Sequence, residues 1–213
     1  MVPAHLGQGG LVTAEIEPGA GDTEPEGSTP LDEDEAGGLI PTHLTNRGQL
    51  NAWEQANITL AVDWLRDRRD QGSVFDPGFL NELHRRMFGN TWRWAGILRR
   101  KETTIGVAPH LIPEAVLNLV ADTRHWIAKR TYPIDEIAAR FHHRLVLIHP
   151  FPNGNGRHAR LAADVLLESL GAQRFSWGSG DLNRDGNARS RYLHALREGD
   201  KGSIEALLAF VRT

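Results

Sequence analysis

Two amphipathic helical patterns broken by a short polar segment are what most restrict how this chain can fold. Ile134, Ile137, Phe141, Leu145 and Ile148 recur every three or four residues and form one apolar stripe along a helix. The stripe runs into His149-Pro150-Phe151-Pro152-Asn153-Gly154-Asn155-Gly156-Arg157. From about Gly156 a second pattern leaves, with Leu161, Ala162, Val165 and Leu166 inward and Gly171 as its stop. The polar residues therefore sit on a connection between two apolar scaffolds, which is where chemistry is usually kept.

The residue types on that connection point to an anion. Gly154 and Gly156 allow backbone conformations closed to other residues, so consecutive N–H groups can converge at the start of the outgoing helix. Helix N-termini attract phosphate, and Arg157 and Arg160, three residues apart, add two positive charges to one helical face. Asp164, four residues after Arg160, is placed to steady it. His149, just upstream, is the side chain best suited to take a proton near neutral pH. A base beside a polyphosphate cradle suggests transfer to a hydroxyl.

Composition narrows the setting. The 213 residues contain no cysteine, which excludes disulfides and thiolate metal sites, and 40% hydrophobic content suffices for one domain's core. With no run of about 18 apolar residues and no signal-peptide pattern, cytoplasmic residence and no membrane contact are expected. The first 46 residues hold nine of the 27 acids and no Lys or Arg, leaving the rest of the chain mildly basic, about +6, despite an overall charge of −3. That balance suits an anionic ligand. The cations are dispersed and not interleaved with aromatics, so direct nucleic-acid binding is disfavoured. His142, His143, His149 and His158 lack metal-ligand spacing, which disfavours zinc.

Residues 1–30 read as a disordered acidic arm, more a solvated tail than a docking element, and residues 31–213 as one domain with its core at about 75–170. Within it, 31–45 reads as an extended segment over the domain. A helix from about Gln49 to Arg69 places Trp53, Ala56, Leu60 and Trp64 inward. Asp76-Pro77 reads as an N-cap followed by proline at the first helical position, opening a helix through Leu83 and Met87. Trp92 to His110 reads as a short β-hairpin or irregular flap, with Thr103, Thr104 and Ile105 in extended backbone between Gly96 and Gly106. Helices then follow around Val116–Ile127, Ile134–Ile148, the outgoing segment, Tyr192–Leu196 and Ile204–Val211. Seven or eight helices and one hairpin define an all-α class with a small β element.

His149 to Arg157 resembles the signature of the Fic/Doc family, His-Pro-Phe-x-Asp/Glu-Gly-Asn-Gly-Arg with a second Arg nearby, at eight of nine places. The departure is Asn153, where the family mostly has the Asp or Glu that holds magnesium. The resemblance implies a Fic-type helical bundle and transfer of AMP from ATP to a Ser, Thr or Tyr hydroxyl of a protein. On that reading Gly154, Asn155, Gly156, Arg157 and Arg160 bind the nucleotide, with Asn155 at the α-phosphate, and His149 is the base. Asp200, beside Tyr192, would accept from the adenine amine. ATP is the implied cofactor with Mg2+, or Mn2+ in its place, and Asn153 either orients the metal weakly or only hydrogen-bonds the loop. The flap around Thr103, Thr104 and Ile105 would dock the target protein; the alternative is a plain connecting hairpin.

Many family members are restrained by a glutamate that pairs with the arginine corresponding to Arg157. Glu54 is the candidate, but Leu50 and Gln55 stand where that motif has Ser/Thr and Gly/Asn, so an ordinary surface glutamate is the favoured reading. Thr42-His43-Leu44, Leu50-Asn51 and Trp92–Gly96 look closest to the bacterial group named mobile mystery protein B, which implies a helix-turn-helix, antitoxin-like partner. The rival functions are phosphotransfer within the same family and a catalytically weakened nucleotide-binding regulator.

Overall fold

The computed structural model describes residues 37–44, 47–67, 76–180, 182 and 186–213; the acidic arm lies outside them. Among the described residues there are seven α-helices: α1 (Arg47–Asp67), α2 (Pro77–Phe88), α3 (Ile112–Lys129), α4 (Ile134–Ile148), α5 (Asn155–Ser169), α6 (Gly186–Asp200) and α7 (Glu205–Val211). No helix among them is long and apolar enough to cross a membrane. The expected all-α class holds.

The boundaries follow from local chemistry. Asp76 caps α2, its Oδ1 accepting from the Gly78 N–H at 2.9 Å with Pro77 at the first helical position. Pro133 precedes α4, and its φ of −54° suits the helix start. The α4–α5 pair forms the centre: α4 buries Ile137, Phe141, Leu145 and Ile148, and α5 buries Leu161, Ala162, Val165, Leu166 and Leu167. Helix α2 packs on α1 and α5, α3 on α4, and α7 on α6 and α4. One continuous core joins them.

Two expectations fail here for physical reasons. The inward face of α1 is not Trp53, Ala56, Leu60 and Trp64: Leu60 is 59% exposed, and the buried positions are Leu50, Glu54, Asn57, Ala61 and Leu65. Two of those five are polar because each has a buried partner. Asn57 Nδ2 donates to Thr91 Oγ1 at 2.9 Å, and Glu54 accepts from Trp92 Nε1 at 2.7 Å. The second failure is the hairpin. Among the described residues no strand forms, only an isolated antiparallel bridge between Leu39 and Trp92. The carbonyls of Lys101 and Val107, which a hairpin ladder would need, both accept from the Arg99 guanidinium instead. The segment 37–44 does lie over the domain, with Ile40 N–H donating to Thr91 O at 2.8 Å and Arg93 N–H to Gly38 O at 2.9 Å.

The interior is unusually rich in imidazole, and this sets the acid response. Burial drives His84 well below the usual histidine range, His142 to about 3, and His149 and His158 to about 4. Each binds a proton in the unfolded chain near pH 6.5 but not in the folded one until a lower pH. Stability therefore rises with pH across that window, by up to about 1.4 kcal/mol per pH unit per histidine. Asp164, pushed up to about 6 by burial, opposes this with one group, since folded protein keeps a proton that the unfolded chain has released. The histidines prevail. The urea midpoint is expected to fall steadily as pH drops from 6.5 toward 4, and a flat midpoint over that range would contradict the burial.

Candidate active site

The loop between α4 and α5 is held by backbone geometry, by the neutral side chains of His84 and Asn155, and by the Arg99 guanidinium. His149 caps α4 in the left-handed conformation (φ 52°), a region that histidine visits more readily than most side chains, and Pro150 prevents the helix from resuming. Phe151 is fully buried and stacks on His84 with ring centroids 3.8 Å apart. Asn155 grips that phenylalanine's backbone from both sides: its Oδ1 accepts from Phe151 N–H at 2.9 Å and its Nδ2 donates to Phe151 O at 2.8 Å. Gly154 precedes α5 with φ 76°, and a Cβ there would lie 2.7 Å from the Phe88 ring. No side chain caps α5, and its leading N–H groups have no intrahelical partner.

His84 is the second support. Gly96 N–H donates to its Nδ1 at 3.0 Å, so Nε2 carries the proton and donates to Asn153 O at 3.0 Å. One neutral ring thus ties the loop to the turn after Trp92, and burial holds it neutral by pushing its pKa well down.

The reactive groups sit against this frame. His149 is 6% exposed, and neither ring nitrogen has an aligned hydrogen bond within the protein. Burial pushes it to about 4 and the Arg99 cation acts in the same direction, while the nearby Val146 carbonyl pulls the other way. A buried imidazole with both nitrogens uncommitted is uncommon, since buried polar atoms are normally paired. Arg157 Nη1 donates to Glu54 Oε2 at 2.8 Å, and its guanidinium lies 4.8 Å from the Phe88 ring centroid. Glu54 is 4% exposed, which overturns the reading of it as an ordinary surface glutamate. Its other oxygen accepts from Trp92 Nε1.

Other expected residues are placed differently. Arg160 lies over the Tyr192 ring at 5.5 Å and has no carboxylate partner among the described residues. Asp164 does not steady it; that carboxylate accepts from Phe175 N–H and Trp177 Nε1, bracing the segment beyond α5. Asp200, read as an adenine contact, accepts from His143 Nε2 at 2.9 Å, and Tyr192 is core. Asn155, read as an α-phosphate ligand, has both ends of its amide engaged with Phe151. Asn153 Oδ1 accepts from Gly154 N–H at 2.6 Å. That amide is neutral and turned onto its own loop, and no cluster of three or more His, Asp or Glu able to hold a metal occurs among the described residues. The residues present do not fit a protein-held magnesium ion. Thr103 is half-buried with its hydroxyl on Ile105 O, while Thr104 and Ile105 are exposed. A cavity of about 590 Å³ between α1 and α2, lined by Trp64, Arg85, Arg86, Trp92 and Arg93, does not reach His149.

Sequence reasoning missed His84 and Arg99. Arg99 is 4% exposed and donates to the carbonyls of His149, Lys101 and Val107. Its place between two glycines that a side chain would block is the one signal that hinted at it: a Cβ on Gly106 would meet both Arg99 and His149.

The loop thus has His149 at its start and an α5 N-terminus without a side-chain cap at its end, with Arg157 and Arg160 on the first two turns of α5. The sequence profile of the Fic/DOC family matches residues 74–167, and the chain carries a Fic/DOC-family domain. It is similar to protein adenylyltransferase fic-1 of Caenorhabditis elegans, 32% identical over 142 residues, covering 64% of this chain and 27% of that protein. The Caenorhabditis briggsae counterpart is 39% identical over 142 residues with the same coverage. The chain thus spans about a quarter of the length of the curated relatives it matches. Among solved structures, residues 134–508 of C. elegans Fic-1 superpose with TM-score 0.61 at 24% identity, covering 84% of this chain and 51% of that one. BepC of Bartonella tribocorum, solved with bound AMPPNP, superposes with TM-score 0.62 at 18% identity, covering 85% and 97%. At these identities the superpositions establish the fold.

The loop geometry carries a direct test. Gly154→Ala puts a side chain into a left-handed position against the Phe88 ring and is expected to cost roughly 2–4 kcal/mol, strain and overpacking combined. Gly156→Ala, whose Cβ would meet nothing closer than 3.7 Å, is expected to change stability little. Urea unfolding of the two variants measures the contrast.

Proposed function

We propose that the chain moves AMP from ATP to a Ser, Thr or Tyr hydroxyl of a protein. The observation that carries this reading is His149: a buried imidazole with no aligned hydrogen bond at either nitrogen, on the loop that leads into an uncapped helix start whose first two turns carry Arg157 and Arg160. The ATP phosphates would lie on the leading N–H groups of α5 and between the two guanidiniums. His149 is neutral near pH 7 and so in its proton-accepting form. The anionic phosphates would raise its basicity on arrival. It takes the target hydroxyl's proton as that oxygen bonds to the α-phosphorus and the bond to the β-phosphate oxygen breaks, releasing pyrophosphate. No covalent enzyme intermediate is needed, so positioning and charge stabilisation supply the acceleration. The adenylyltransferase names of the relatives support the same reading.

Asn155 and Asn153 act in this reading by shaping the loop, and no step is assigned to a metal held by the protein. Magnesium or manganese would be held by the nucleotide's own phosphates. The exposed backbone around Thr104 and Ile105 would receive an extended target segment by strand-like pairing, with the flap supplying unladdered N–H and C=O groups. Cytoplasmic residence, expected from the hydropathy pattern, and a helix-turn-helix, antitoxin-like partner, implied by the sequence resemblance, belong to the same proposal.

Glu54 would restrain the reaction. Its carboxylate occupies Arg157, the guanidinium that the outer phosphates require, so ATP binds productively only after a buried ion pair opens. Parallel incubations with α-³²P-ATP and γ-³²P-ATP decide the chemistry: label from the α-position alone supports AMP transfer, label from the γ-position indicates phosphotransfer, and label from neither indicates a nucleotide-binding regulator. Glu54→Gly is expected to raise α-label incorporation by about tenfold or more, corresponding to about 1.4 kcal/mol of competition removed. His149→Ala in that background is expected to abolish it.

The metal position generates its own measurement. Asn153→Asp restores a hard, charged oxygen beside the phosphates and is expected to lower the magnesium concentration needed for half-maximal labelling. An unchanged magnesium dependence would mean that residue 153 stays turned onto Gly154.

A further inference from the structure

Arg99 is a buried guanidinium without a buried carboxylate partner. Its Nε donates to His149 O at 2.6 Å, Nη1 to Lys101 O at 2.9 Å, and Nη2 to Val107 O and, more weakly at 3.4 Å, to Ile148 O. Two of these oxygens belong to the end of α4 and two to the flap. The backbone makes the same connection twice, with Arg99 N–H donating to Pro150 O at 2.9 Å and Val107 N–H to Ile148 O at 3.3 Å. The cation also sits at the C-terminal, electronegative end of α4, where the last carbonyls have no helical donor. That placement explains why burial is tolerated: carbonyl oxygens and the helix dipole serve in place of a counter-ion. Gly106 completes the fit, since its hypothetical Cβ would lie 2.5 Å from Arg99 Nη2 and 2.8 Å from His149 Cβ. The flap backbone at Gly106 thus leaves no room for a side chain between the guanidinium and the root of the His149 side chain.

We propose that Arg99 is a positioning residue that locks the flap and the His149 backbone into one body, so that a target hydroxyl registered by the flap arrives at a fixed distance from the imidazole. The inference rests on the AMP-transfer reading for its catalytic consequence and on geometry alone for the coupling. A planar fork with five donors is required, because a lysine offers one point charge that cannot reach carbonyls on two segments.

Arg99→Lys and Arg99→Gln in the full chain test it, with three readouts. Amide hydrogen exchange at Val107 is expected to speed up by about tenfold or more in both, while amides in α5 keep their protection. The His149 imidazole resonances are expected to shift, with those of His84 and His158 unmoved. In the Glu54→Gly background, α-³²P-ATP labelling is expected to fall by about a hundredfold, the scale of a roughly 1 Å misplacement, with the KM for ATP unchanged. Unaltered Val107 exchange and His149 resonances in Arg99→Lys would overturn the proposal. So would loss of protection across α5 together with weakened ATP binding, which would mark Arg99 as a general stabiliser. If Glu54→Gly itself takes no label, the AMP-transfer reading fails, and exchange and imidazole resonances still decide whether Arg99 couples the two segments.

Discussion

The site depends on a backbone constraint: two left-handed positions, His149 and Gly154, five residues apart, that turn the chain from α4 into α5. A histidine in that conformation is tolerable, whereas position 154 admits no side chain because the Phe88 ring occupies the space where a Cβ would go. Between them the Asn155 amide closes a ring on Phe151, and His84 ties the Asn153 carbonyl to the Gly96 turn. The result is a loop fixed by the neutral hydrogen bonds of Asn155 and His84, one buried aromatic stack, and the Arg99 guanidinium on the His149 carbonyl.

Onto that frame α1 brings a single carboxylate. Glu54 is accommodated in the interior by two donors, Trp92 Nε1 and Arg157 Nη1, one for each oxygen. A buried ion pair contributes little net stability, yet removing one partner leaves an uncompensated charge. An incoming phosphate can replace the carboxylate as the partner of Arg157, but Glu54 must then find water or move. On the proposed reading the pair would be a restraint whose strength depends on how easily α1, held on the core by Leu50, Ala61, Leu65 and Trp64, can shift.

Much of this was legible in the amino-acid order. The α4 and α5 stripes, the Asp76-Pro77 cap and the His149–Arg157 segment are local patterns, and local patterns survive folding. What failed was non-local. Trp53 and Leu60 read as the inner face of α1 because hydrophobicity is the default guide, but that helix is rotated to deliver Glu54 and Asn57 inward, and neither has an apolar signature. Thr103 to Ile105 have strand propensity, yet the carbonyls a ladder needs are taken by an arginine two to eight residues away. Asp164 sits at helical spacing from Arg160 but is drawn to Phe175 and Trp177, partners supplied by the chain beyond α5. Sequence spacing identifies neighbours within a helix and says nothing about which third element competes for them.

On the proposed reading, Asn153 in place of a carboxylate would change the balance of binding and rate. With a neutral amide there, a nucleotide's phosphates meet two guanidiniums and a helix N-terminus with no opposing charge on the loop itself. That favours holding the anion in the ground state, and tighter ground-state binding does not by itself accelerate a reaction. On the proposed reading, rate would then come from groups that act only as bonds change: the His149 imidazole accepting a proton, and its fixed distance from the attacking oxygen. His84, Asn155 and Arg99, three buried polar side chains hydrogen-bonded to the backbone of the loop and its approaches, would supply that fixed distance.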